Sequence, residues 1–248
     1  MNNDRTIKEY EYTIPYHWMY SGFWLKQYLY PIKRVAEYLE HLKTGPILDL
    51  GCGDGRLTYE MARLIQPRGI KVIGVDMQDT AIEFAKLIVG KTTENPVFKK
   101  ICLGIDSIKE LEPHGFEMIT MFDFIEHIPV EQVANLLLEA YQSLNDKGML
   151  LITTPNRRSL THRLYNLKPS EKHYYEYTPS ELVEKISNIT GMKKVICEGY
   201  YLRWICWPKL LDHFSQVFPI RELYTMGIPL GRLVTNYAEK FLVIMKKC

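Results

Sequence analysis

Ile47-Leu48-Asp49-Leu50-Gly51-Cys52-Gly53-Asp54-Gly55 is the stretch from which the fold is read. A short apolar run ends in three glycines at alternate positions, and from Arg56 to Ile65 apolar residues recur at helical spacing. This is a buried strand feeding a glycine-rich turn that opens a helix. Glycine carries no Cβ, so the chain turns sharply there and a ligand can approach the main chain. The N–H groups at the start of the helix favour an anionic group. A nucleotide-like ligand with an acidic end suits such a turn, and a tight turn without any ligand has the same local pattern.

Outward from this turn, a second apolar run, Ile70 to Val75, ends at Asp76. A carboxylate roughly 20 residues past the glycines is placed to accept hydrogen bonds from ribose hydroxyls. Taken alone, it also reads as a strand-end cap. Ala81, Ile82, Ala85, Ile88 and Val89 then recur at helical spacing, with Asp79 or Thr80 as the expected cap. The dinucleotide fingerprint requires its third glycine at the sixth position. Arg56 stands there, and the third glycine comes one residue early.

With these spacings the chain resembles the class I S-adenosylmethionine (SAM)-dependent methyltransferases over about residues 45 to 200. The resemblance implies that Asp49 and the backbone around Gly51 and Gly53 hold the methionine end of SAM. It implies Asp76 on the ribose, Met77 against the adenine, and Asp106 and Ser107 by the adenine edge. Met121 and Phe122, at the end of the fourth strand, complete the expected cofactor-binding set.

The expected strands are 46–50, 70–75, 97–103, 117–122, 148–153, 192–200 and 241–246. The expected helices are 55–66, 79–90, 130–144 and 179–189. Such alternation argues for an α/β fold, a parallel sheet covered by helices on both faces. The resemblance makes it a Rossmann-like, seven-stranded, mostly parallel sheet whose last strand is antiparallel. Ligands in such sheets bind at the carboxyl ends of the strands. The expected organisation is a helical, aromatic lid segment over 1–44 and a methyltransferase domain over 45–248, with insertions at 155–177 and 201–240.

The chain has 248 residues, 31 basic and 29 acidic, for a net charge of +2. The balance is not the strongly basic footprint of a nucleic-acid binder. Five scattered cysteines without a Cys-x-x-Cys pair read as reduced thiols, and with no visible secretory signal or bilayer-length apolar run the expected location is cytoplasmic.

Chemistry concentrates in Met121-Phe122-Asp123-Phe124-Ile125-Glu126-His127-Ile128-Pro129. If residues 123–127 form one helical turn, Asp123, Glu126 and His127 share a face. His173 lies in the loop after the fifth strand, which should cross the same mouth. Three readings stand open. His127 is a general base for an acceptor hydroxyl; or the acids with His127 and His173 hold a divalent cation that lowers the acceptor pKa; or Glu126-His127 only caps and lines the pocket. The segment resembles the acidic-x-x-Glu-His motif of the ubiquinone-pathway O-methyltransferases and of the small-RNA 3′-end methyltransferases. In both, that resemblance implies, a related set is associated with a divalent metal.

Three segments outside the common core are expected to choose the substrate. Tyr16, His17 and Trp18 are candidates to cover the ligand, or simply to pack the amino-terminal segment. Arg157, with Arg158 and Arg163, is a candidate for an anionic acceptor, against a solvated basic loop. Trp204, Trp207, Phe214 and Phe218, near Arg203 and Lys209, form a local subdomain or rest on a membrane surface. The expected activity is methyl transfer to an oxygen, or less readily a nitrogen, of a small molecule, glycan or lipid precursor. A metal-assisted RNA methyltransferase, a nicotinamide-dependent oxidoreductase and a non-catalytic SAM-binding module are the alternatives. Oligomeric state is not legible.

Overall fold

The computed structural model describes residues 12–39, 45–90, 95–102, 104, 106–202 and 232–248. The expectations placed on Trp204, Trp207, Phe214 and Phe218, and on Arg203 and Lys209, lie outside the described residues.

Two short helices, α1 (Gly22–Tyr28) and α2 (Tyr30–Leu39), precede the sheet. Then follow β1 (Ile47–Leu50), α3 (Arg56–Ile65), β2 (Val72–Asp76), α4 (Asp79–Ile88), β3 (Val97–Lys100) and β4 (Phe116–Phe122). The second half comprises α5 (Val130–Ser143), β5 (Leu144–Pro155), α6 (Leu160–Tyr165), α7 (Pro179–Thr190), β6 (Lys193–Tyr200) and β7 (Lys240–Lys246). The seven strands form one sheet in the order β3-β2-β1-β4-β5-β7-β6. All pairs are parallel except β5–β7 and β6–β7, so β7 is the antiparallel strand, wedged between two others.

Every residue of β1 and β4 is buried, as a parallel sheet covered on both faces requires. Strand alternation divides the apolar side chains between two cores. Ile47, Val72, Met118, Phe122 and Leu151 pack with Val35 of α2 and Met61 of α3. Leu48, Ile73, Ile119, Met121 and Ile152 pack on the other face with Leu137 of α5 and Leu182 of α7. Successive residues of a strand face opposite ways, so Met121 and Phe122 go to different cores. Tyr30 stacks on Tyr200 at 4.8 Å and fixes the amino-terminal helices over the end of β6.

Local signals set the element ends. Gly55 sits at φ 77°, and a Cβ there would lie 2.7 Å from Phe98 and 2.8 Å from Ala85; only glycine lets α4 and β3 come this close. Thr178 and Glu181 form a reciprocal capping box at the start of α7, with Pro179 in its first turn, as the sequence indicates. The expected cap at Asp79 or Thr80 moves to Gln78, because the helix already includes Asp79.

Candidate active site

A cavity of about 360 Å³ opens at the carboxyl ends of β1, β2, β4 and β5. Gly51 and Cys52 line it from the first loop, and Asp76, Met77 and Gln78 from the second. Phe122, Asp123, Phe124, Glu126 and His127 contribute from the fourth strand and its loop, Pro155 from the end of β5 and His173 from beyond it. Tyr12, Tyr16, His17, Tyr20 and Tyr28 roof it, and Lys240 at the start of β7 closes one side. Its size falls in the range of about 300–1,000 Å³ usual for small-molecule sites.

The cofactor end is built on carboxylates held by short bonds. Asp49 is fully enclosed and accepts from Thr58 Oγ1 at 2.6 Å and from Thr120 Oγ1 at 2.8 Å. Burial pushes its pKa up to about 7, against the lowering effect of the two hydroxyls. Asp76 accepts the backbone N–H of Gly53 at 3.0 Å and of Gln78 at 3.0 Å, so the two loops are tied together through this carboxylate. Burial raises its pKa while these N–H bonds oppose the rise.

The residues present fit SAM. The Gln78 amide oxygen is buried beside Asp76 without a partner among the described residues, and so supplies an acceptor for a ligand hydroxyl or amino group. At Gly53, φ is 55° and a Cβ would stand 2.2 Å from the Tyr12 hydroxyl, so a side chain there would collide with the roof.

Asp54, not singled out in the sequence, latches that roof. Its Oδ2 accepts the backbone N–H of His17 at 3.0 Å, and its Oδ1 faces His17 Nδ1 at 3.0 Å. Its main-chain carbonyl accepts the Trp18 indole N–H at 2.9 Å. His17 stacks on Tyr28 at 4.7 Å. The signal available beforehand was a charged side chain inside a glycine turn, beside a histidine-bearing aromatic segment far away in sequence.

The expected helical turn over 123–127 does not form. Asp123 takes φ 48°, a conformation that interrupts a right-handed helix, and only Ile125–His127 makes a short 3-10 turn. Asp123 makes an ion pair with Lys240 and does not join the Glu126, His127 and His173 cluster. Lys240 escaped the sequence analysis because only the β5–β7 pairing, with Pro155 opposite Lys240, brings it to the site.

Glu126, His127 and His173 do come together: one ligand atom from each lies within 4.8 Å of the others. The Glu126 carbonyl accepts the Tyr174 N–H at 2.8 Å, which zips the two loops together and sets the imidazoles 4.8 Å apart, edge to face. His173 Nδ1 faces Glu176 at 2.6 Å, and His127 Nδ1 faces the Lys172 carbonyl at 3.1 Å. Donation from Nδ1 to an oxygen is the arrangement that orients a metal-binding imidazole. Burial, then the neighbouring His173, lowers the His127 pKa and keeps it neutral near pH 7. Burial and the Asp123 charge raise that of Glu126, which accepts from Thr154 at 2.9 Å.

Several expected site residues lie outside the cavity lining. Met121 points into the core beneath α5, one residue out of phase with the cavity-lining Phe122. Asp106 folds back on its own loop, accepting the Cys102 N–H at 2.7 Å, and Ser107 begins the 3-10 turn Ile108–Leu111; neither lines the cavity. Trp18 packs outside it beneath the Arg56 guanidinium. Arg157 pairs with Glu181 at 2.5 Å and lies over Tyr175, so its charge is engaged away from the cavity. Asp49, Gly51, Asp76, Met77, Phe122, Tyr16, His17, His127 and His173 line the cavity, and Gly53 sits under the Tyr12 hydroxyl beside it.

This strand order, with a cavity over the first two strand ends, is similar to that of the Rossmann-like, class I SAM-dependent methyltransferases. A family model described as "Methyltransferase domain" matches residues 23–188, and the chain belongs to that family. It is 35% identical over 113 residues to the mitochondrial ubiquinone biosynthesis O-methyltransferase of Candida albicans, covering 45% of this chain and 32% of the relative. It is 25% identical over 158 residues to the ubiquinone biosynthesis O-methyltransferase of Nitrosomonas europaea, covering 60% of this chain and 64% of the relative. The matches thus span from a third to just under two thirds of these relatives. In fold it is similar to a SAM-dependent methyltransferase from Archaeoglobus fulgidus, with TM-score 0.55 and 24% identity over 87% of this chain and 92% of that one. It is also similar to the plantazolicin methyltransferase in complex with a pentazolic desmethylPZN analog and SAH, with TM-score 0.60 and 19% identity over 94% and 88%. Among the described residues no helix is long and apolar enough to cross a membrane.

Proposed function

We propose that the protein transfers a methyl group from SAM to an oxygen of a small-molecule acceptor, with a glycan or lipid-precursor hydroxyl as further members of that class. One observation carries the reading: a single cavity has Asp49, Asp76 and the glycine turn at one end and His127, His173 and Lys240 at the other. SAM supplies a methyl group already activated on its sulfonium, so the protein has only to bind, align, exclude water and manage a proton.

Asp76 and Gln78 hold the ribose and adenine side, and Met77 packs beside them. Asp49 and the main chain around Gly51 and Gly53 hold the methionine side. Tyr16 and His17, the latter latched by Asp54, shut the roof against water. His127, held neutral, takes the acceptor proton. The names of the curated relatives support oxygen as the receiving atom. Calorimetry with S-adenosylhomocysteine (SAH) tests the cofactor site. Micromolar binding is expected, lost in Gly53→Trp and weakened at least tenfold in Asp76→Ala; unchanged affinity in both variants refutes the assignment.

A second reading is favoured by the Glu126–His127–His173 cluster. Two imidazoles and a carboxylate suit a divalent transition metal or zinc. Such an ion would hold and acidify the acceptor hydroxyl, and would draw the proton off Glu126.

A further inference from the structure

Beside the main cavity lies a second chamber of about 150 Å³, walled by Tyr20, Trp24, Gln27, Tyr28, Phe122 and Tyr200. The two spaces share His17, Tyr20, Tyr28, Leu57, Phe122, Asp123 and Lys240 as walls, so they adjoin at the end of β4. Two polar features stand out in this chamber. Gln27 is 7% exposed, and its amide oxygen is buried without a partner among the described residues. Lys240 comes from β7 and lines both spaces, and its side chain is 28% exposed.

A buried amide oxygen without a donor costs about 1–3 kcal/mol. That cost is removed when a ligand brings an N–H or O–H. The Lys240 ammonium carries three protons, and among the described residues one is directed to Asp123. Charged and titratable groups face it from every side: Asp123 and Glu126 after β4, Tyr20 and His17 from the roof, and Tyr200 from β6. Burial lowers the Lys240 pKa, but the Asp123 charge and hydrogen bond outweigh burial and keep the group a cation. Aromatic faces make up most of the remaining wall.

We propose that this chamber receives the acceptor, that Lys240 holds its ionising hydroxyl oxygen, and that Gln27 accepts a hydrogen bond from a second polar hydrogen on the same molecule. The inference deepens the methyltransferase reading and rests on it. Lys240 would contact the reacting oxygen directly, and Gln27 would select acceptors that carry a second donor. A cation close to a hydroxyl in a water-poor space favours its oxyanion. The proton released goes to His127 or to solvent. The assignment concerns the chain's own side chains and holds with or without an ion at the histidine cluster.

The test uses the SAH-loaded full chain and 4-nitrophenol, whose absorbance reports its own ionisation. Bound to the wild type, the phenol should ionise at least one pH unit below its midpoint in buffer, a tenfold change in its ionisation constant. Lys240→Arg should keep the shift and Lys240→Met abolish it, with an unchanged far-ultraviolet circular dichroism spectrum in both as the check on folding. For 4-nitrocatechol, which adds a second hydroxyl, Gln27→Leu should weaken binding about fivefold to tenfold while leaving 4-nitrophenol unaffected. Absence of nitrophenol binding, an unshifted midpoint in the wild type, or an equal shift in Lys240→Met overturns the assignment of Lys240. Equal losses for both probes in Gln27→Leu overturn that of Gln27. A wild type that fails to bind SAH removes the methyltransferase reading and this inference together; SAH binding without the shifts removes this inference alone.

Discussion

Replacing Thr58 by valine removes one of the two hydroxyls that hold Asp49 and nearly preserves the volume. The cost depends on the charge of Asp49. Its folded pKa of about 7 lies above the ordinary carboxylate value. The folded protein therefore keeps a proton that the unfolded chain gives up from about pH 4 upward. The Asp49 contribution to stability is complete below that value and declines as the pH climbs to about 7. At pH 8.5 the enclosed group is a carboxylate, and losing a donor 2.6 Å away removes a hydrogen bond to a charge. Such bonds contribute about 1.5–3 kcal/mol, against about 0.5–1.5 kcal/mol for neutral pairs. Thr58→Val should thus cost about 2 kcal/mol at pH 8.5 and about 1 kcal/mol at pH 5.5. For a chain of this size, Tm should fall by about 4–8 °C at the higher pH and half of that at the lower. The difference of about 1 kcal/mol equals a further rise of somewhat under one unit in the Asp49 pKa. Urea unfolding followed by fluorescence at the two pH values measures it. Equal losses at both would mean that Asp49 does not change charge between them, and the account of its burial would fail.

Asp54→Asn should loosen the roof: weakening the two His17 contacts is expected to raise the SAH dissociation constant about tenfold, or about 1.4 kcal/mol, with a red shift of Trp18 emission; an unaltered affinity would show that the latch does not bear on the cofactor. If an ion sits on the histidine cluster, EDTA and His173→Ala should each reduce turnover at least a hundredfold while SAH still binds; activity indifferent to both would leave His127 acting as a base alone.

That Gly51, Gly53 and Asp76 would meet at the ends of the first two strands was legible because the determinants are local. Gly51, Gly53, Gly55 and Asp76 lie within two strand–turn–helix units, where spacing fixes geometry. Parity was not legible: nothing in Met121-Phe122 announces which ring of contacts each joins, and that follows only from how β4 is hydrogen-bonded to β1 and β5. The shared face of Asp123 with Glu126 and His127 was conditional on a helical turn, and the left-handed residue at Asp123 cancels that condition. Arg157 looked available in the sequence, yet the same Glu181 that completes the cap of α7 also pairs with it. Asp54 and Lys240 were hidden by distance along the chain, since their partners His17 and Asp123 are brought to them only by the assembled fold.

The wedged position of β7 has a consequence for how the molecule comes into being. On a ribosome, β6 emerges well before the strand that must sit between it and β5, and until then it has no neighbour in the sheet. The growing chain therefore carries β5 as a raw edge and β6 as an orphan, both open to mispairing. Clipping a few residues from Lys240–Lys246 would detach two strands rather than one and would take Lys240 with them. Proteases and chaperones would meet a late-closing seam at the very place where the acceptor is expected to dock.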